Sequence, residues 1–314
     1  MRKKLTLFGA IIILICLTLY LVIKKYETDI IASSSNTTSI LIIDPKNFFI
    51  INEIKMSHPL NSPFKILRNG GEVYLITKDG IVILNSQGIE NVLLPSSSKI
   101  NDALIEGNKI YLLTLIGCNP KNITCLPKSK IEVYNIPSLS KLSEYSFNNT
   151  LFGSLQIIGD KIYLLSFPNS KLYTLEDGKI IGSFQFTNTL NSVFGLLPKF
   201  KDELFVFVYN GVYFFNTSSN SSTFLPTCNS LQYAKVYNNS LFVSCFQENK
   251  TIEIDLNTKT IKSSLELQQP FFISSFDNKL FITAPTLKKV YVIDPTNFTL
   301  ITTLNFDTSQ VVIG

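Results

Sequence analysis

The sequence predicts an all-β fold, a β-propeller, preceded by one N-terminal transmembrane helix. Three observations support this prediction: a strand phrase that recurs six times, a hairpin that follows it, and an apolar run close to the N-terminus. The 314 residues suit one propeller as well as two average domains. We divide the chain into a cytoplasmic stub (1–4), a transmembrane signal anchor (5–23), a polar linker (24–37) and a β-propeller ectodomain (38–314).

The apolar run covers residues 5–23 and lies between two basic clusters. Its length meets the requirement of about 20 residues for a helix that crosses a bilayer. A cleaved signal peptide is the alternative, but its apolar core has about 7 to 15 residues, and no convincing small-x-small cleavage site follows the run. Because more basic residues precede the run than follow it, we expect the N-terminus in the cytoplasm and the propeller outside it, in a single-pass protein of the cell membrane.

The formal charge of +5 is confined to the flanks of the apolar run. The rest of the chain carries 23 basic and 23 acidic residues, so the segment that follows Lys25 is neutral. A neutral surface without a basic stripe argues against a nucleic-acid partner, and membrane topology explains the excess charge. The five basic residues that account for it are Arg2, Lys3, Lys4, Lys24 and Lys25.

Cysteine usage supports export from the cytoplasm. Cys16 lies in the apolar run, and the other four cysteines form two couples that are local in sequence. An even set behind an export signal predicts two disulfides, Cys118–Cys125 and Cys228–Cys245, although four cysteines allow three connectivities. Neither spacing is CxxC, which argues against a zinc site.

Eight Asn-x-Ser/Thr sequons follow the predicted anchor. Each lies in a predicted linker or turn, where a bulky glycan can be carried. The alternative for any one of them is a turn-forming Asn. The candidate glycosylation sites are Asn36, Asn122, Asn148, Asn216, Asn220, Asn238, Asn249 and Asn297.

The recurring strand phrase has a polar turn, a polar residue, an aliphatic residue, Tyr or Phe, and further apolar residues, as in GEVYLIT from Gly71. Successive copies lie 37 to 52 residues apart, a period typical of repeat architectures. An insertion at residues 117–129, which holds Cys118 and Cys125, explains the widest step. The residues that precede the aliphatic position are Glu72, Lys109, Lys161, Glu203, Ser240 and Lys279.

A second hairpin follows the phrase, and its clearest copy is KKVYVIDPTNFTLITTL from Lys288. Asp44, Asp255 and Asp294 begin the turns of such hairpins, where an Asp side chain accepts backbone hydrogen bonds and Pro presets φ. Calcium binding by these residues is the alternative, but calcium needs six or more oxygen ligands and acidic clusters are absent. We therefore predict no metal and no cofactor.

The chain begins halfway through a repeat. The segment SILIIDPKNFFIINEI from Ser39 matches the hairpin at Lys288 without a tyrosine phrase before it, and residues 310–313 correspond to a leading strand alone. Complementary ends suit a closed ring, because closure removes exposed sheet edges. We predict seven blades, the last assembled from the C-terminal strand and the N-terminal hairpin. A six-bladed ring with an appended hairpin is the alternative.

Strings such as VYVIDPTNFTLITTL, preceded by a turn and a Leu-Phe-Ile strand, resemble the YVTN-type and NHL-like β-propeller repeats of cell-surface proteins, including archaeal surface-layer proteins. The resemblance covers about residues 38 to 314. It implies a propeller at the cell surface that is used for binding or for envelope structure. The chain departs from many propellers because it has no Trp and lacks their glycine-rich blade features.

Residues with catalytic chemistry are few. His58 is the single histidine and precedes Pro59 in a predicted loop, with nothing nearby to orient it as a base, so we interpret it as an exposed loop residue. Paired carboxylates of a glycosidase would come from distant blades and leave no local motif. The carboxylates to consider are Glu72, Glu106, Asp202 and Glu203, and turns or strand edges are their ordinary role.

The aromatic position of the phrase has two interpretations. A ladder for stacking sugars is one, and packing between blades is the other and the favoured one for a large apolar residue that recurs on a strand. The residues concerned are Tyr74, Tyr111, Tyr163, Phe205, Phe242 and Phe281.

Two functional hypotheses follow. The favoured one is a membrane-anchored, non-enzymatic propeller that recognises a protein or glycan partner or contributes to the envelope. The alternative is a cell-surface hydrolase or lyase with carboxylates at the mouth of the central channel. The enzyme hypothesis requires several convergent Asp, Glu or His side chains in the axial cleft.

Overall fold

The computed structural model describes most of the predicted propeller. The predicted anchor at residues 5–23, His58, Cys118, Cys125, Asn36 and Asn122 lie outside the described residues. Within those residues no helix is long and apolar enough to span a bilayer. The described ranges are 30–34, 39–55, 63–84, 90–93, 99–116, 128–136, 138–148, 150–166, 169–187, 198–208, 210–305 and 311–313.

The described chain is built from strands and turns, with one short 3-10 turn at Pro285–Leu287. The strands of the first half are β1 (Ile30–Ser34), β2 (Ser39–Ile43), β3 (Ile50–Lys55), β4 (Pro63–Asn69), β5 (Glu72–Thr77), β6 (Ile81–Leu84), β7 (Glu90–Leu93), β8 (Lys99–Glu106), β9 (Lys109–Ile116), β10 (Lys128–Asn135), β11 (Lys141–Asn148), β12 (Ser154–Ile158), β13 (Lys161–Ser166), β14 (Lys171–Glu176) and β15 (Lys179–Gln185). Those of the second half are β16 (Lys199–Phe200), β17 (Glu203–Val208), β18 (Gly211–Asn216), β19 (Ser221–Pro226), β20 (Leu231–Tyr237), β21 (Ser240–Cys245), β22 (Lys250–Asp255), β23 (Thr260–Glu266), β24 (Ile273–Phe276), β25 (Lys279–Ala284), β26 (Lys289–Asp294), β27 (Thr299–Asn305) and β28 (Val311–Ile313).

The strands pair into four-stranded antiparallel sheets, the blades of a β-propeller. Six blades are continuous in sequence, namely β4–β7, β8–β11, β12–β15, β16–β19, β20–β23 and β24–β27. One further sheet has the order β28-β1-β2-β3 and so joins the two ends of the chain. Each copy of the tyrosine phrase forms the second strand of a continuous blade, as its alternation of polar turn and apolar run predicts.

The composite sheet corrects two expectations. The sequence predicts seven blades, the last made of the C-terminal strand and the N-terminal hairpin, whereas the structure shows six continuous blades and a composite sheet with one strand more than that prediction includes. That strand, β1, lies within residues 24–37, where the sequence predicts a polar linker. Ala32 pairs with Leu41 on one side and with Ile313 on the other. Backbone pairing with two neighbours selects the strand, although its sequence IIASS has no alternating pattern.

Neighbouring sheets pack face to face through apolar clusters. Ile42 of the composite sheet packs in one cluster with Leu75 of the β4–β7 blade. On the other side, Ile43 packs in one cluster with Phe281 and Val292 of the β24–β27 blade. The composite sheet therefore lies between the first and the last continuous blade, and it joins them through the same kind of core that joins the other blades.

The aromatic position of the phrase belongs to these clusters, as the packing interpretation predicts. Phe205, for example, packs with Leu241 and Ile252 of the next blade. A side chain this enclosed is not available for stacking on a sugar. The exposed fractions are 0% for Tyr74, 4% for Tyr163, 0% for Phe205, 1% for Phe242 and 0% for Phe281, and Tyr111 is half-buried against a cluster.

The Asp residues of the second hairpins form Asx turns, as predicted. Asp255 Oδ1 accepts hydrogen bonds from the backbone N–H groups of Asn257 and Thr258 at 2.8 and 2.9 Å. Asp44 and Asp294 each accept one from the residue two positions later at 2.8 Å. The described residues contain no group of three or more His, Cys, Asp or Glu side chains placed to hold a metal ion.

The antiparallel order gives the ring two distinct faces. Turns between first and second strands lie at the same edge of a blade as turns between third and fourth strands, and we call this edge the turn face. The connections between second and third strands, and those between blades, lie at the opposite edge, the loop face. Residues 117–127 connect β9 to β10 and thus join strand ends at the loop face. The strand β1 is second in its sheet and begins at the turn face.

Candidate functional site

A cavity of about 620 Å³ lies where the leading strands of the six continuous blades meet. Leading strands of neighbouring blades contact one another, as β8 does with β12 and β20 with β24, and each has an edge without a partner strand in its own sheet. These edges surround the axis of the propeller. We call the cavity the axial channel.

The charged side chains that line the axial channel come from four blades. Four are basic and two are acidic, so the described wall carries an excess of two positive charges. Residues 38–314 carry 23 basic and 21 acidic residues, so the excess at the axis equals the excess of the whole propeller. The charged lining residues are Lys65, Arg68, Lys199, Lys235, Asp102 and Glu106.

Asp102 is a buried carboxylate whose oxygens both have partners. Lys65 Nζ lies 2.8 Å from Asp102 Oδ1, which also accepts a hydrogen bond from the Ala103 N–H at 2.8 Å. The Ser154 hydroxyl and the Leu155 N–H donate to Oδ2, each at 3.0 Å. With 4% of its side chain exposed, Asp102 connects β4, β8 and β12 and so has a structural role.

Two further basic side chains lie nearer the turn face. Lys199 Nζ donates to the Ile157 carbonyl at 2.8 Å and lies 3.6 Å from Glu106 Oε2. Both side chains of this ion pair are more than a third exposed, so its contribution to stability is at most about 1 kcal/mol. The Arg68 guanidinium carbon lies 4.2 Å from the centre of the Phe276 ring, a cation–π arrangement.

Lys235 differs from the other basic residues of the wall. It has no ion-pair partner among the residues that the structure describes. Burial lowers the pKa of its ammonium group, and the positive charge of Lys65 lowers it further. The folded protein therefore bears the cost of a partly desolvated cation that no described carboxylate compensates.

Polar groups of two other blades lie level with Lys235. Lys235 stands two residues before the end of β20, as Gln156 does in β12 and Ser274 in β24. The Ser274 hydroxyl is buried and has no hydrogen-bond partner in the described part of the chain. On the loop-face side, the Tyr233 ring packs edge-on against Phe272 at 5.3 Å. Burial and then the charge of Asp102 raise the pKa of Tyr233, which keeps its hydroxyl neutral.

The carboxylates singled out from the sequence are mostly elsewhere. Only Glu106 lines the channel. Glu72 accepts a hydrogen bond from the Tyr74 hydroxyl, Glu203 forms an ion pair with Lys259, and Asp202 lies exposed in a turn. The basic residues were missed because each is one isolated charge in sequence. Their common signal is a position in the strand just before a tyrosine phrase, which an alignment of the leading strands reveals.

The structure joins Cys228 and Cys245 in a disulfide, as predicted, with their Cα atoms 5.9 Å apart. Both residues are buried in the cluster between the β16–β19 and β20–β23 blades. The bond therefore connects the segment that enters a blade to the end of that blade's second strand.

Replacing both cysteines by alanine is expected to cost about 3 kcal/mol of unfolding free energy, since the bond closes a loop with a sequence separation of 17. Alanine is chosen over serine because serine would leave a buried hydroxyl in the apolar cluster. Denaturant unfolding of the full chain in detergent, for both forms without reductant, measures the difference. Equal midpoints would contradict a stabilising bond, and non-reducing mass spectrometry reports the linkage directly.

The described sequon residues are accessible. Asn216 is half-buried, and its Oδ1 accepts hydrogen bonds from the Ser218 and Ser219 N–H groups at 3.0 and 2.9 Å. Asn148 and Asn249 lie at the loop face, and the others lie at the turn face. Glycan occupancy stays a prediction. The exposed sequon residues are Asn148, Asn220, Asn238, Asn249 and Asn297.

Comparisons with known proteins identify the architecture. No family model matches the chain, and no curated protein sequence matches it. Among solved structures, apo AztD from Citrobacter koseri is 14% identical, with 91% of this chain and 97% of that chain covered and a TM-score of 0.57. A streptogramin B lyase is 15% identical, with 89% and 88% covered and a TM-score of 0.66.

A computationally designed protein, Ika8, is 13% identical, with 91% of this chain and 89% of that chain covered and a TM-score of 0.62. At such identities, similarity shows the fold alone. The matched structures include a lyase and a designed protein, so the fold does not decide whether this chain is an enzyme. The chain is a β-propeller, and the resemblance to YVTN and NHL-like repeats stays a prediction.

Proposed function

We propose that this chain is a membrane-anchored, extracytoplasmic β-propeller that acts as a binding module for a protein or glycan partner, or as an envelope component. The observation that carries the proposal is the axial channel, a preformed concavity of about 620 Å³ walled by strands of six blades. Such concavities with a few fixed polar groups are the usual form of binding sites. The YVTN-like resemblance adds the expectation of a cell-surface setting.

We infer that the composite sheet is the seventh blade and closes the ring. Its clusters with the first and last continuous blades support this inference, as do the contacts of β28 with β4 and β25. Pairing the two ends of the chain removes two exposed sheet edges.

The direction of β1 supports one orientation of the ring relative to the proposed anchor. Residues 24–29 separate the proposed anchor from β1 and span at most about 20 Å. Because β1 begins at the turn face, this face lies next to the bilayer and the loop face points away from it.

The Cys228–Cys245 disulfide and the exposed sequons support an extracytoplasmic propeller, since disulfides persist in oxidising compartments. Topology is tested on intact cells that produce the full chain with an N-terminal epitope tag. We expect added protease to digest the propeller, the tag to stay protected, and the chain to stay in carbonate-washed membranes. A tag that the protease removes, or a chain released by carbonate, would refute the anchored topology.

Binding is tested with the full chain in detergent against glycan panels and surface extracts of the producing organism. We expect saturable binding of one partner, and a large loss of affinity when residues 117–127 are replaced by a short Gly-Ser turn. The matched control replaces the exposed turn residues Lys46 and Asn47 by Gly-Ser. If the folded chain bound no partner saturably, the binding proposal would be wrong.

A surface hydrolase or lyase is the second candidate, and the observation in its favour is Glu106 at the channel wall. Asp102, the other carboxylate of the wall, is held by Lys65 and three further donors. One available carboxylate does not make the acid–base pair of a glycosidase. If the chain cleaved a bound glycan and Glu106→Gln abolished the cleavage, the enzyme hypothesis would be favoured.

A further inference from the structure

We propose that Lys235 is the central ligand-binding residue of an anion site in the axial channel, and that its ligand carries a carboxylate, sulfate or phosphate group. The inference rests on the proposed binding function and adds the chemical class of the ligand. It stands on the composition of the channel wall and on the position of Lys235 within it.

The charge balance of the wall is the first argument. Lys65 and Lys199 each have a carboxylate within 4 Å, and together they account for both acidic residues of the described wall. Lys235 therefore faces the channel without a counter-ion from the described residues, and Lys65 adds positive potential around it. A low-dielectric wall with uncompensated positive charge concentrates anions.

The groups beside Lys235 are suited to an oxyanion. The Ser274 hydroxyl is a buried donor without a partner, and Gln156 stands at the same level of the wall. An oxyanion that accepts hydrogen bonds from Lys235 and Ser274 would satisfy both groups at once. Unsatisfied buried polar groups in native proteins call for a specific explanation, and a ligand provides one.

The cost of an unpaired Lys235 is the third argument. Its lowered pKa means that the folded state holds the ammonium less favourably than the unfolded state does. At a pH below both pKa values this penalty is present in full, and it is relieved only as the pH rises between the folded and unfolded values. A bound anion would remove this penalty. A residue that costs stability until its ligand binds is common in functional sites.

The size of the channel selects the probes. About 620 Å³ admits a small ligand or one or two sugar residues but excludes a folded domain. Glucuronate and glucose form a matched pair, because they share a ring and differ by the carboxylate. Inorganic sulfate and phosphate test the other two oxyanions, with sodium chloride at equal ionic strength as the reference for general salt effects.

The experiment measures the melting temperature of the full chain in detergent while each probe is titrated. We expect at least one oxyanion to raise it in proportion to the logarithm of its concentration above the dissociation constant, by about 5 °C at 100 times that constant, and glucose and chloride to leave it unchanged. Lys235→Met is expected to weaken binding of that anion at least 10-fold and to leave the ligand-free melting temperature equal or higher. Lys235→Arg should retain most of the affinity.

Lys46→Met is the matched control, because Lys46 is exposed in a turn and its loss changes the net charge equally. Equal affinity in Lys235→Met, Lys46→Met and the unchanged chain would overturn the proposal, as would a rise in melting temperature that sodium chloride at equal ionic strength reproduces. Absence of binding by every anion would also overturn it. None of these results decides whether the chain captures a surface partner, so the proposed function is tested independently of the anion site.

Discussion

Deleting residues 309–314 is expected to lower the melting temperature of the full chain by about 10 °C, because the deletion removes β28. This strand pairs with Ala32, Ser33 and Ser34 of β1 and contacts β4 and β25 of the blades on either side. Its loss leaves β1 with an unpaired edge at the axis and removes the contacts of β28 with both neighbouring blades. A loss of several kcal/mol corresponds to such a shift, at about 2–4 °C per kcal/mol in a domain of this size.

Deleting Gly314 alone is the control, since this residue follows β28 and should be dispensable. Calorimetry of the three forms in one detergent compares them. An unchanged melting temperature in the longer deletion would mean that the ends of the chain do not close the ring. The six-bladed alternative with an appended hairpin would then be the better description.

Phe205→Ala is expected to cost about 3–5 kcal/mol of unfolding free energy, the usual range for a fully buried phenyl ring. Phe205 is 0% exposed and packs edge-on against Phe214 with ring centres 5.4 Å apart. Its cluster joins two blades, so the cavity weakens the contact between blades as well as one sheet. Denaturant unfolding followed by circular dichroism gives the difference.

Phe49→Ala provides the comparison, because Phe49 is 70% exposed and should lose less than about 0.5 kcal/mol. Phe205→Ala could instead lose as little unfolding free energy as Phe49→Ala and yet weaken binding of a glycan. The aromatic position of the strand phrase would then serve in recognition. That result would restore the sugar-stacking interpretation that the burial of the ring argues against.

The repeats were predictable because they depend on local chemistry. A polar turn followed by alternating apolar residues specifies a strand, and an Asp that accepts the backbone N–H groups of a turn specifies a hairpin, whatever lies around them. The Cys228–Cys245 bond was predictable for the same reason, since its partners are close in sequence. The strand β1 was not, because Ile30–Ser34 becomes a strand only when β28 and β2 supply partners on both sides.

The candidate site was hidden for a physical reason. Lys65, Lys199 and Lys235 belong to three blades and are separated by long stretches of sequence, so no local window contains two of them. Glu106, the one site residue among the candidates named from sequence, was chosen as a carboxylate and proves to be a minor part of a basic wall.

The sequence by itself determined an all-β repeat protein, the second strands and hairpins of its blades, the inward-packing aromatic position and one disulfide, because hydrophobic alternation, turn chemistry and short separations are local properties. The complementary ends of the chain also predicted that the C-terminal strand joins the N-terminal hairpin, but only the tertiary structure decided that β1 lies between them and that charges from separate blades converge on one axis. Both outcomes depend on contacts between residues that lie tens to hundreds of positions apart, and a nearly neutral composition carries no trace of where its charges meet.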